Sequence, residues 1–85
     1  MDELKNIQER VIRVVVGEFP DKEGKIYPGT DLALDLGMDF TDLVELAEFA
    51  MALEEEFLIS VTIEDVETFQ TVQDIIKFIK GCLGV

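Results

Sequence analysis

The sequence predicts a small all-α bundle of three substantial helices and one short one. Three observations carry this reading. Apolar residues recur at helical spacing near both ends and in the middle of the chain. Both prolines and three of the six glycines fall within residues 18–38, which concentrates the helix-breaking residues in one stretch. No segment alternates apolar and polar residues as a half-buried strand does, and there is no repeat or low-complexity tract. Eighty-five residues suffice for one domain, 1–85, with a small core.

Leu4, Ile7, Val11, Val14 and Val15 place an amphipathic helix over residues ~2–17, with Asp2 as its cap and Glu3 suited to the positive end of the helix dipole. Gly17 and Pro20 end it. Residues ~18–38 read as a long loop, held to the core by Leu32, Leu34 and Leu36. Loops beyond ~12–15 residues are uncommon in compact domains and are often functional. A second helix is expected from Phe40 or Thr41 to Phe57, with Leu43, Leu46, Ala47, Ala50, Leu53 and Phe57 as its apolar stripe and Thr41 suited to its N-cap. Thr62-Ile63-Glu64-Asp65 has the form of a capping box and predicts a short helix near residues 63–68. Thr71-Val72-Gln73-Asp74 repeats that form and opens the last helix. Its inward face is Val72, Ile75, Ile76, Ile79 and Leu83, with Lys77 and Lys80 toward its C-terminal end.

Composition narrows the function. At 48% hydrophobic the chain is too apolar for a disordered acidic tail. A net charge of −12 repels phosphates, which argues against nucleic acid, and it discourages self-association, so a monomer is expected. One cysteine permits no internal disulfide and suits a reducing compartment; Cys82 reads as a small packing residue of the last helix. No apolar run approaches the ~20 residues needed to span a bilayer. The start, Met1-Asp2-Glu3-Leu4-Lys5, has neither the basic nor the apolar part of a signal peptide. A soluble cytoplasmic protein without membrane contact follows. There is no histidine and no nucleophile–base pair, so the chain is not expected to be an enzyme. A calcium loop fails on spacing, because Asp31, Asp35 and Asp39 are four apart and the glycine of an EF-hand is missing; no metal site is expected.

The charges are segregated. Every Lys and Arg lies at or before Lys25, or at or after Lys77. Asp42, Glu45 and Glu48 share a helix face, and Glu54-Glu55-Glu56 follow with no basic neighbour. Like charges at these spacings destabilise a helix by a few tenths of a kcal/mol per pair. A docking surface for partners with basic patches accounts for them better than a merely solvated face. Such a surface speeds encounter and selects partners.

Asp35-Leu36-Gly37-Met38-Asp39-Phe40-Thr41-Asp42 resembles the prosthetic-group site of acyl carrier proteins, whose pattern is Asp-Leu-Gly-x-Asp-Ser-Leu-Asp. Thr30-Asp31-Leu32-Ala33-Leu34 resembles the family's approach to that site. Met51-Ala52-Leu53-Glu54-Glu55-Glu56-Phe57 resembles its second-helix signature, and Thr71-Val72-Gln73-Asp74-Ile75-Ile76 the start of its last helix. The resemblance implies one small four-helix bundle of acyl-carrier type in fatty-acid or polyketide biosynthesis. It also implies 4′-phosphopantetheine on the motif's serine, and docking to enzymes of acyl-chain metabolism through the second helix. Carried over by position, the docking residues are Asp35, Asp39, Asp42, Glu45, Glu48, Glu54 and Glu55.

Two departures qualify that implication. Phe40 stands at the serine position, and a phenyl ring has no oxygen to phosphorylate. Thr41 offers a hydroxyl one position later, rotated by ~100° if helical; Ser60, the only serine, has no motif around it. The expected role is therefore docking without the usual modification, with attachment at Thr41 as the alternative. Phe40 is expected either packed into the bundle, where it would plug the space for an acyl chain, or exposed as a partner contact. Between Gly37 and Met51 the chain also has three residues more than the family's usual spacing. Within a helix these add ~300° and ~4.5 Å, about one turn, so a lengthened second helix is expected.

Overall fold

A computed structural model describes residues 3–85, and side chains from Asn6 onward. The Asp2 cap and the side chains of Glu3 and Leu4 thus lie outside the described residues. The order is α1 (Glu3–Glu18), a 3-10 turn (Pro20–Lys22), α2 (Leu43–Phe57), α3 (Ile63–Glu67) and α4 (Val72–Leu83). The all-helical bundle expected from the sequence is the fold observed.

Each helix buries the stripe its spacing defines. Ile7, Val11 and Val15 of α1 are four apart and buried against Leu46, Phe49, Ala50, Leu53 and Phe57 of α2 and Val72, Ile75, Ile76 and Ile79 of α4 in one core. Burying such a side chain contributes about 1.5–3 kcal/mol. Phe49 was absent from the expected stripe of α2, yet it is fully buried; it widens the stripe by flanking Leu46, Ala50 and Leu53. Leu43 and Leu83 were expected inside and are 60% and 42% exposed. Both have suitable phase, but each is a terminal residue of its helix, beyond the last packed turn. Cys82 is likewise exposed rather than packed.

The two predicted capping boxes are present. Thr62 and Thr71 accept from Asp65 N and Asp74 N, and the two carboxylates accept in return from Thr62 N and Thr71 N. α2 ends at Leu58, a left-handed residue with φ 56°.

The long loop is coiled and stitched to the far end of the chain. Leu32 N donates to Gln70 O at 2.9 Å, Val72 N to Thr30 O at 3.0 Å and Gln73 N to Pro28 O at 2.8 Å. Within it, Asp35 N and Gly37 N reach back four residues to Asp31 O and Ala33 O. That helical rise puts Leu32 and Leu36 on one side, both buried, and turns Leu34 outward at 86% exposure. Leu34 therefore does not hold the loop; Ile26 and Met38 join Leu32 and Leu36 instead. Gly37, at φ +78°, supplies the left-handed residue that ends this coil.

Candidate functional site

The loop does not run into α2 at Phe40 or Thr41. It makes one more turn, closed by Asp42 N donating to Asp39 O at 3.1 Å, and the helix starts at Leu43. The cap is Asp42, not Thr41: Asp42 Oδ1 accepts from Val44 N at 3.0 Å and Glu45 N at 3.2 Å. An aspartate here satisfies two unpaired donors and opposes the positive end of the helix dipole. Thr41 instead serves Asp39, whose Oδ1 accepts from Thr41 N at 2.9 Å and Thr41 Oγ1 at 2.6 Å. These two bonds, the hydroxyl's first, hold the Asp39 carboxyl below its ordinary range.

The Asp39–Asp42 turn thus stands between the loop and α2, which has 15 residues. This turn separates two ways of locating the motif. Counted forward from Gly37, the acid and the residue after it are Asp39 and Phe40. Counted back from Met51, they are Asp42 and Leu43. Phe40 is half-buried and packs on the edge of the core; it shares a shallow cleft of about 150 Å³ with Asp31, Ala33, Glu67, Phe69 and Gln70. It is thus neither an interior plug nor a free knob. Leu43 heads the helix, exposed beside Val44.

The predicted docking acids divide by what they already bind. Asp35 Oδ2 accepts from Asp31 N at 2.8 Å, and Glu45 Oε2 from Asp39 N at 3.4 Å. Glu54 Oε2 accepts from Val61 N at 2.9 Å, which ties the end of α2 to the approach to α3. Glu56 is held by Arg10, at 2.7 Å to its carboxylate and 2.6 Å to its carbonyl, while the guanidinium lies 4.5 Å from the Phe57 ring centroid. Glu48 and Glu55 are exposed, and their carboxylates make no hydrogen bond among the described residues. Asp42, Glu45 and Glu48 do come together: with Glu18 they line a cleft of about 300 Å³ whose floor includes Phe19, Met38 and Phe49. Glu18 was not singled out by the sequence pattern, because only folding brings the end of α1 to the start of α2. Burial first, then the charges of Glu48 and Glu45, raise its carboxyl above the ordinary range. Among the described residues no group of three or more His, Cys, Asp or Glu is arranged to hold a metal, and no helix is long and apolar enough to cross a membrane.

Four helices, a stitched loop and an acid-capped second helix make up a small all-helical bundle. Residues 4–79 match the family model described as the phosphopantetheine attachment site. The acyl carrier protein of Buchnera aphidicola subsp. Acyrthosiphon pisum (strain 5A) is 42% identical over 78 residues, covering 92% of this chain and 94% of that protein. The acyl carrier protein of strain Tuc7 of the same organism is 42% identical over 77 residues, 91% and 92% of the two chains. The chain belongs to the acyl carrier protein family, whose members are carriers rather than enzymes.

Proposed function

We propose that the chain is an acyl-carrier-type module of fatty-acid or polyketide biosynthesis that acts by docking and carries no 4′-phosphopantetheine at the usual position. One observation supports this above others: neither place to which the motif can be assigned offers a hydroxyl. Phe40 follows Asp39, and Leu43 follows Asp42 at the head of α2. The prosthetic group therefore does not fit the residue present in either register, although the acids around it remain. Docking falls to the exposed part of α2. Glu48 and Glu55 are uncommitted there, and Val44 and Met51, both more than half exposed, offer apolar contact. Partners are cytoplasmic enzymes of acyl-chain metabolism with basic patches, engaged by a monomer of net charge −12.

Attachment at Thr41 is the second reading. It is favoured by a side chain that is exposed and whose hydroxyl lies 2.6 Å from the Asp39 carboxylate. Incubation of the purified chain with coenzyme A, Mg²⁺ and a broad-specificity phosphopantetheinyl transferase, followed by intact-mass measurement, tests both. No mass change is expected. A gain of one phosphopantetheine group would overturn the unmodified reading, and peptide mapping to Thr41 would establish the second.

A further inference from the structure

The chain has a net charge of −12, yet one cleft gathers cations. It has a volume of about 400 Å³ and lies between the 3-10 turn and the loop that leads to the motif. Lys22 and Lys25 line one side, and Tyr27, Gly29 and Thr30 come from the following turn. Asp35 and Leu36 complete the lining from the motif itself. Asp21 and Glu23, the acids on either side of Lys22 in sequence, are not part of it. Two ammonium groups and one carboxylate leave a local excess of positive charge. We propose that this cleft binds a small phosphate monoester. Lys22, Lys25, Gly29 N and Thr30 Oγ1 would hold the phosphate, and Tyr27 and Leu36 would receive the organic body.

Two closed turns hold these donors in place. Lys25 N donates to Lys22 O at 2.9 Å, so both lysines belong to one turn. Thr30 N donates to Tyr27 O at 3.0 Å, and Tyr27 N donates back to Thr30 Oγ1 at 2.8 Å. Tyr27 Oη donates to Gly24 O at 3.1 Å, which joins the second turn to the first. Thr30 is only 6% exposed. Its oxygen accepts from Tyr27 N, but its hydroxyl hydrogen has no acceptor among the described residues, and neither has Gly29 N. A buried donor in that state calls for an acceptor. A phosphate dianion supplies three acceptor oxygens, and its charge strengthens each bond. A bare phosphate would leave most of the cleft unfilled, whereas the exposed Tyr27 ring and Leu36 offer an apolar wall for an attached group. Asp35, the one acid of the lining, already has Oδ2 engaged by Asp31 N at 2.8 Å. The overall charge still repels a long polyanion laid across the acidic surface. A small dianion feels mainly the groups within about 8–10 Å at physiological salt.

Titration of the full chain with inorganic phosphate and with phenyl phosphate, followed by amide NMR shifts at constant ionic strength, tests the site. Both probes are expected to move the amides of Lys25, Gly29 and Thr30, with a dissociation constant for phenyl phosphate of about 1 mM, the weak end of specific binding. Phenyl phosphate should bind roughly two- to tenfold tighter than inorganic phosphate, the scale of one aromatic pair with Tyr27. Tyr27→Leu should remove that advantage. Lys22→Ala and Lys25→Ala should each weaken both probes by roughly two- to fivefold, while Lys77→Ala, a cation of α4 outside the cleft, should leave them unchanged. Unshifted α4 amides around Ile75 and Ile79 show that each variant is folded. The proposal is overturned if neither probe moves the three amides at about 20 mM, far above that constant. It is equally overturned if the shifts persist when both lysines are replaced, or if the two probes bind alike. None of these readouts depends on whether the chain carries a prosthetic group.

Discussion

The two registers of the motif can be set against each other by giving each its serine. Leu43→Ser places a hydroxyl on the first residue of α2, directly after the Asp42 cap, at a site already 60% exposed. Phe40→Ser places it in the preceding turn, at a half-buried position that packs on the core. A phosphodiester at the head of a helix is favoured by about 0.3–1 kcal/mol through the dipole, and that field fades within the first turn. This alone is a factor of roughly two to five in rate. The substitutions also differ in cost. Removal of a fully buried phenyl ring costs about 3–5 kcal/mol, so the half-buried Phe40 should lose about 1–2. Leu43→Ser should stay within about 0.5 kcal/mol, as surface changes do. Intact-mass time courses with coenzyme A, Mg²⁺ and a transferase, run beside urea unfolding of each variant, separate rate from stability. Leu43→Ser is expected to be modified faster and to unfold near the parent midpoint. If Phe40→Ser is modified while Leu43→Ser is not, recognition follows the Asp35-Leu36-Gly37 loop, and the argument from the helix head is wrong.

Two further outcomes test the energetics. Leu58 holds φ 56° with its side chain 89% exposed, so Leu58→Gly removes about 1–2 kcal/mol of left-handed strain and loses about 0.4–1 to unfolded-state entropy. A net stabilisation of about 0.5–1 kcal/mol should be visible as a higher urea midpoint; a lower midpoint would mean that the exposed leucine makes contacts the geometry does not reveal. Asp74 accepts from Gln70 N and Thr71 N, bonds that lower its carboxyl from the ordinary range. The stability it adds is present above that range and lost as pH falls through the lowered value. Asp74→Asn should therefore flatten the acid limb of the urea midpoint against pH, and an unaltered limb would show that the two bonds contribute nothing.

Local rules made much of the molecule legible in the chain. Thr62 and Thr71 were readable as caps because a capping box is completed within four residues. Ile7, Val11 and Val15 of α1 and Val72, Ile75, Ile76 and Ile79 of α4 followed from period; Leu83, at the end of α4, did not. What escaped depended on non-local or competing local geometry. Leu34 looks like Leu32 and Leu36 by composition, but the coil set by Asp31 and Asp35 turns it outward. Thr41 and Asp42 are both good caps in isolation; the Asp39–Thr41 bond takes the threonine away and leaves the aspartate to start the helix. The spacing near the motif suggested a second helix that starts at Phe40 or Thr41, whereas the Asp39–Asp42 turn delays its start to Leu43. At the site, the acids themselves were legible, but not which of them the fold already employs. Glu54 and Glu56 face partners 7 and 46 positions away in sequence.

The stitching of residues 28–32 to residues 70–73 ties the approach to the motif to the start of α4. Gln70, Val72 and Gln73 are its backbone partners, so a substitution that unwinds the first turn of α4 would leave buried donors and acceptors of the loop unpaired and disturb the motif from about thirty residues away.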